Sequence, residues 1–68
     1  MKPISGKRMC KVLEGQGWVQ VRVRGSHHAF ERQGVPDRID VPVHSNRDLK
    51  PGTQRAIMRA AGLTDADL

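Results

Sequence analysis

Hydrophobic and polar positions change their spacing twice along this chain of 68 residues. Near the start, Met9, Val12 and Leu13 recur at the spacing of one face of a helix. Ser5, which precedes them, is a residue type that caps helix N-termini well. This pattern therefore predicts a first helix over about residues 5–15.

The middle of the chain alternates with period two, which is typical of β-strands. Three antiparallel strands are predicted, over about residues 18–24, 27–32 and 38–43. In the first strand, the valines at 19, 21 and 23 are expected on one face, and Gln20, Arg22 and Arg24 on the other. Pro42 has no N–H group to donate, so we expect the third strand to be an edge strand or to end there.

The last third of the chain returns to helical spacing. Pro51 suits the first turn of a helix, and Gly62 followed by Leu63 is a typical helix stop. Residues 64–68 form a short acidic tail that we expect to be frayed. The order of elements indicates one α+β domain over residues 1–68, with an α-β-β-β-α arrangement that places both helices on one face of a three-stranded antiparallel sheet.

The net charge of the chain indicates which classes of partner it can attract. Twelve Lys and Arg residues against seven Asp and Glu residues give a net charge of +5, and residues 1–24 carry most of the excess. A field of this sign attracts polyanions such as RNA, although it also fits a role in solubility alone. Five cations are therefore candidate RNA contacts, with a solvated surface as the alternative: Lys7, Arg8 and Lys11 in the first helix, and Arg22 and Arg24 in the first strand.

Cysteine count and hydropathy exclude several other classes. Cys10 is the only cysteine, so no disulfide forms within the chain, and a reducing compartment such as the cytoplasm is expected. No apolar run approaches the roughly 20 residues of a membrane span, and we expect no signal peptide and no membrane partner. The three histidines and Cys10 match no compact zinc pattern, so neither a metal nor another cofactor is predicted.

The segment Gly25-Ser26-His27-His28 holds the chemistry of the chain. Histidine exchanges protons near neutral pH, because its unperturbed pKa is about 6.5. Neighbouring residues of a strand point to opposite faces, so His27 and His28 are not expected to serve one site. Ser26 is a candidate contact of the turn backbone or of a phosphate, and His27 is a candidate contact of RNA. Two passive histidines in a strand are the alternative.

Three sequence blocks occur in a fixed order: LEGQGW at residues 13–18, GSHH at 25–28, and VPVH at 41–44 with its continuation through LKPGT at 49–53 to Leu63. Over about residues 4–63, this set resembles the HicA family of toxin ribonucleases, also called YcfA-like, from bacterial and archaeal toxin–antitoxin pairs of type II. The resemblance implies a fold like that of a double-stranded RNA-binding domain, in agreement with the predicted order of elements. It also implies a toxin endoribonuclease, or mRNA interferase, that is neutralised by a HicB-type antitoxin.

The family's catalytic histidine ends a Gly-Ser-X-His motif, so the resemblance assigns this role to His28 and puts His27 at the variable position. RNA supplies its own nucleophile, the 2′-hydroxyl, and one histidine can act as base or acid without a metal. His44 is either a second proton-transfer group or, as we favour, part of a loop. Pro51 and the acidic tail depart from the family pattern without affecting the histidine.

Two further functions are kept beside the ribonuclease: a noncatalytic RNA-binding module of the same fold, and an inactive protein that only engages its antitoxin. Cleavage of RNA by the purified protein separates the ribonuclease from the other two. We expect the toxin to be monomeric alone and to join a hetero-oligomer with its antitoxin, which covers His28 and part of the basic surface.

Overall fold

Two helices pack against one side of a three-stranded sheet. The computed structural model describes residues 1–68. Its elements are α1 (Gly6–Gly15), β1 (Val19–Arg24), β2 (His27–Arg32), β3 (Val35–Pro42) and α2 (Pro51–Ala61), followed by a short 3₁₀ turn at Asp65–Asp67. Both strand pairs are antiparallel, and the strand order is β1-β2-β3. The predicted α-β-β-β-α fold is therefore confirmed.

Helix α1 begins and ends close to where the sequence predicts. The Ser5 hydroxyl oxygen accepts the backbone N–H of Arg8 at 3.0 Å, so Ser5 is the N-cap. Met9, Val12 and Leu13 are buried on the face that their spacing indicated. A helix of 10 residues is marginal in isolation, so this buried face is what stabilises α1.

A buried glutamine anchors α2 to the N-terminal segment. Gln54 has no exposed surface, and its side-chain oxygen accepts the N–H of Ile4 at 3.1 Å while its amide nitrogen donates to the Lys2 carbonyl at 2.6 Å. Gly62 ends the helix in the left-handed conformation, with φ at 68°, as predicted. Neither helix is long and apolar enough to cross a membrane.

The core fills the space between the helices and one face of the sheet. Phe30 in β2 pairs with Ile39 in β3, and His28 pairs with Val41, so these side chains share the face that the helices cover. We call this the helix-side face and its opposite the open face. Twelve buried hydrophobic residues form one cluster: Ile4, Met9, Val12, Leu13, Trp18, Phe30, Ile39, Val41, Leu49, Ile57, Met58 and Leu63.

Strand β1 departs from the predicted alternation because it contains a β-bulge. The pairing with β2 shifts between Gln20 and Arg22, so Gln20 pairs with Phe30 whereas Arg22 pairs with Ala29. The extra residue, Val21, moves the side chains that follow it to the opposite face of the sheet from the one that strict alternation predicts. Gln20 therefore lies on the helix-side face and Arg22 on the open face. The prediction of a single valine face is wrong, and the three valines of the strand are 47–62% exposed.

The start of β3 and the C-terminal tail also differ from the predictions. β3 begins at Val35, earlier than predicted, because irregular pairing with β2 extends the strand toward the preceding turn. It is an edge strand and ends at Pro42, as predicted. The expectation of a frayed tail is wrong, because Thr64 and Asp67 form a capping box and Leu68 packs against the core.

Candidate active site

A tight turn presents the two adjacent histidines at one end of the sheet, which we call the histidine end. Gly25 has a φ of 59°, a left-handed conformation that favours glycine, and with Ser26 it joins β1 to β2. The Ser26 carbonyl accepts the N–H of Val43 at 2.7 Å, which ties the turn to the residue after β3. The histidines therefore start β2 from an anchored backbone.

The two histidines lie on opposite faces of the sheet, as predicted. His27 pairs with Arg24 and is exposed on the open face. His28 pairs with Val23 and Val41 on the helix-side face, and it is half-buried. The His28 ring therefore borders the core without being sealed inside it, and the two rings do not share a site.

One hydrogen bond fixes the His28 ring. Its Nδ1 atom lies 3.0 Å from the side-chain oxygen Oε1 of Gln20. An amide oxygen only accepts hydrogen bonds, so Nδ1 carries the hydrogen, and in the neutral ring Nε2 then holds the free lone pair. Nε2 is the atom that can accept a proton from a substrate.

The sequence predictions did not include Gln20 as a site residue. Period-two alternation placed it on the same face as Arg22 and Arg24, whereas the bulge at Val21 turns it toward His28. A bulge inserts a single unpaired residue whose place is set by pairing with the neighbouring strand. The run of residues 19–24 contains no glycine that would signal it.

The two cations of β1 lie on a different face from the half-buried histidine. Arg22 pairs with Ala29 and Arg24 pairs with His27, so both arginines lie on the open face with His27. The structure thus brings Arg22, Arg24 and His27 together. It does not place these two arginines beside His28.

The three predicted cations of α1 lie on its solvent side. Lys7, Arg8 and Lys11 are all exposed. Lys7 Nζ lies 3.4 Å from Oδ1 of Asn46 in the loop after β3, and Arg8 donates to the Leu68 carbonyl at 3.4 Å. Lys7 is therefore held toward the loop after β3, and Arg8 toward the C-terminal tail.

A basic cleft opens beside the histidine end, where β3 meets α2. Its volume is about 430 Å³, and its lining includes His44, Arg47, Lys50 and Thr53. His44 therefore lies in a loop wall of this cleft and outside the sheet. The sequence predicts only a polar loop here, because loop side chains converge only once the flanking strand and helix are in place.

The remaining reactive groups do not form a second site. No group of three or more His, Cys, Asp or Glu side chains converges in the way that a metal site requires. Burial, together with the negative charge of Glu14, raises the pKa of the half-buried Cys10 thiol. A raised pKa disfavours the thiolate, so Cys10 is not poised as a nucleophile.

These features define a class of protein: a small, basic α+β domain that holds one oriented histidine at the end of a three-stranded sheet. Residues 6–63 match the family model described as the HicA toxin of bacterial toxin–antitoxin. The match covers most of the chain, so the chain belongs to the HicA toxin family and is the toxin of a toxin–antitoxin system, with an antitoxin as its partner. The resemblance inferred from three sequence blocks is confirmed. No individual curated protein matches the chain.

Proposed function

We propose that the chain is an endoribonuclease that cleaves mRNA by metal-independent acid/base catalysis at His28, and that a HicB-type antitoxin neutralises it. The observation that supports this most is the His28 ring, half-buried at the sheet end and held through Nδ1 by Gln20. A ring fixed by one nitrogen presents the other in a defined direction, and positioned proton transfer requires such a direction.

The reaction follows from the chemistry of RNA. Nε2 of His28 removes the proton of the 2′-hydroxyl, and the resulting oxygen attacks the neighbouring phosphorus. The bond from phosphorus to the 5′-oxygen breaks, a 2′,3′-cyclic phosphate forms, and the leaving 5′-oxygen takes up one proton from water. The proton on Nε2 then returns to the solvent. A positioned proton-transfer group contributes typically about 10²–10⁴-fold to such a step.

The two faces at the histidine end suit one RNA strand that crosses the turn between β1 and β2. On the open face, Arg22, Arg24 and His27 offer donors for phosphate oxygens. On the helix-side face, His28 meets the scissile bond. Contacts to phosphates thus position the strand, and a separate side chain acts on it.

Cleavage of labelled single-stranded RNA by the purified protein, in the presence of a chelator, tests the proposal. His28→Ala should lower kcat by about 10²–10⁴-fold. His27→Ala, the matched control, removes the adjacent imidazole from the other face and should change KM while kcat is retained. Replacing the 2′-hydroxyl at the cleaved position by hydrogen should block the reaction. Cleavage by His28→Ala at the wild-type rate would overturn the proposal.

One observation favours a second function, a noncatalytic RNA-binding module of the same fold. Arg22 and Arg24, the cations of β1, lie on the face opposite His28. Such an arrangement binds phosphates whether or not the histidine acts. If this is the function, the same assay gives a mobility shift of the RNA without cleavage, and His28→Ala leaves the affinity unchanged.

The free edge of β1 offers a surface for the antitoxin. All six residues of this strand are exposed, and Arg22 and Arg24 flank one of its three valines. Exposed apolar side chains on a strand edge are typical of protein interfaces, and arginines among them favour an acidic partner. An antitoxin segment seated here would lie close to His28 and exclude the substrate. Hydrogen exchange should show protection of β1 in the complex; an inhibited complex with unprotected β1 would contradict this assignment.

A further inference from the structure

We infer that the basic cleft between β3 and α2 binds a backbone phosphate of the RNA strand whose cleavage is proposed at His28. This inference rests on the proposed function and adds a second binding position to it. The cleft holds about 430 Å³. That volume accommodates a phosphate with part of its sugar, and it is open to solvent through exposed lining residues.

The lining of the cleft has the chemistry that phosphate requires. Arg47 and Lys50 are exposed cations, and Thr53 supplies a half-buried hydroxyl. Guanidinium and ammonium groups form charge-assisted hydrogen bonds with phosphate oxygens. Asp48 is the one carboxylate in the lining, so the two cations leave a positive balance there. Lys50 is also the N-cap of α2, and the positive end of the helix dipole adds to the positive charge of the side chains.

The cleft adjoins the histidine end through Pro42. Pro42, which forms one of its walls, pairs with His27, and the neighbouring Val41 pairs with His28. Adjacent strands lie about 4.8 Å apart. The backbone linking the two places is itself held, because Val43 donates to the Ser26 carbonyl at 2.7 Å. An RNA strand bound at His28 therefore passes the opening of the cleft within a short length of the RNA backbone.

The composition of the cleft favours a phosphate over an acidic protein segment. The central part of a protein interface is typically apolar. Here the lining residues other than Pro42 and Leu49 carry polar or charged side chains. The exposed valines, which a protein partner would cover, lie on β1 at the other edge of the sheet. The two edges of the sheet thus differ in the partner that their side chains suit.

Matched charge-removing variants test the inference. The variant Arg47→Ala/Lys50→Ala removes both cations of the cleft. The control Arg55→Ala/Arg59→Ala removes two exposed cations of α2 outside the cleft, with the same change in net charge. KM and kcat are measured on single-stranded RNA, and Kd is measured at several salt concentrations with each pair of substitutions in the His28→Ala background.

The cleft variant should raise KM by about tenfold with little change in kcat. It should also reduce the slope of log Kd against log salt by about one or two relative to the control variant. Asp48→Asn removes the opposing charge, so it should lower KM. Because Asp48→Asn should change KM in the opposite direction to the double variant, it tests the inference even if the double variant is unstable.

Each other outcome has a defined meaning. If the wild type cleaves RNA and the cleft variant has the KM and salt slope of the control, the inference is overturned while the proposed function stands. If the wild type neither binds nor cleaves RNA, both are overturned. If the cleft variant weakens binding of the antitoxin and leaves the affinity for RNA unchanged, the cleft belongs to the protein interface and the inference is overturned.

Discussion

Replacing Gly6 with alanine should destabilise the domain and displace the histidine end of the sheet. Gly6 is the first residue of α1 and is buried against the end of β3. A β-carbon at this position would overlap the carbonyl oxygen of Pro42 and would lie 3.1 Å from both the Pro42 carbonyl carbon and the Cα atom of Val43. All three are backbone atoms, so no side-chain rotation relieves the overlap.

These backbone atoms have little freedom to move. Pro42 pairs with His27, and the N–H of Val43 donates to the Ser26 carbonyl at 2.7 Å. A shift of β3 away from α1 would carry the turn and both histidines with it. The substitution therefore tests whether the position of the histidines depends on the packing of α1 against β3.

The size of the stability loss in Gly6→Ala follows from two opposing effects. Overpacking costs typically about 1–3 kcal/mol, and an overlap with rigid backbone belongs at the upper end. Replacing glycine by alanine in a helix returns about 0.4–1 kcal/mol. The net loss is about 2 kcal/mol, which corresponds to a fall in Tm of roughly 8–16 °C for a small domain. A chain of 68 residues has only about 3–10 kcal/mol of total stability, so this loss is large.

Thermal unfolding followed by circular dichroism measures the effect, with Gly52→Ala as the matched control. Gly52 also lies in the first turn of a helix, but a β-carbon there meets no heavy atom within 4 Å, and its φ is not positive. Gly52→Ala should therefore raise Tm. A Gly6→Ala variant as stable as the wild type, or equal shifts in the two variants, would refute the steric reasoning.

The remaining predictions concern buried polar groups and titrating groups. Gln54→Leu removes the acceptor of a buried backbone N–H, so the free energy of unfolding should fall by about 1–3 kcal/mol in a urea titration. Trp18→Phe should change the free energy of unfolding by less than about 1 kcal/mol. The buried Nε1 has no hydrogen-bond partner to lose, and removal of this unpaired donor offsets the lost packing. A larger loss would contradict this offset. Cys10 has a raised thiol pKa, so its contribution to stability is complete below the ordinary thiol value of about 8.5 and is lost as the pH rises through the raised value. Cys10→Ala should therefore weaken the alkaline fall in unfolding free energy, and an identical pH dependence in both proteins would be the contrary result. Gln20→Glu places a carboxylate beside His28 and should favour the protonated form of the ring. The acidic limb of the pH–rate profile of RNA cleavage should therefore move to higher pH. An unmoved profile would exclude Gln20 as a positioning residue.

The helices were predictable from sequence because their signals are local. The N-cap at Ser5 and the buried face of α1 depend on residues within one or two turns of each other. The end of α2 at Gly62 depends on a single residue that adopts a positive φ at no steric cost. Such features require no knowledge of the rest of the fold, and the structure places them where the sequence indicates.

The candidate site was less predictable because its parts meet only through strand pairing. The resemblance to the Gly-Ser-X-His motif makes His28 the candidate, but the partner of its ring, Gln20, depends on a bulge that the register with β2 creates at Val21. Arg47 and Lys50 belong to a segment with no regular period, and they converge only when β3 and α2 are both in place. Sequence patterns therefore indicate which residue type forms the candidate site more reliably than they indicate which side chains surround it.

The charge pattern of β1 also bears on self-association. An uncovered strand edge can pair with the same edge of a second copy, and such pairing leads to aggregation. In a pair of this kind, Arg22 and Arg24 of one copy would approach the same arginines of the other, and like charges at this range repel. The free toxin should therefore stay dispersed at low ionic strength and lose this protection as added salt screens the guanidinium groups.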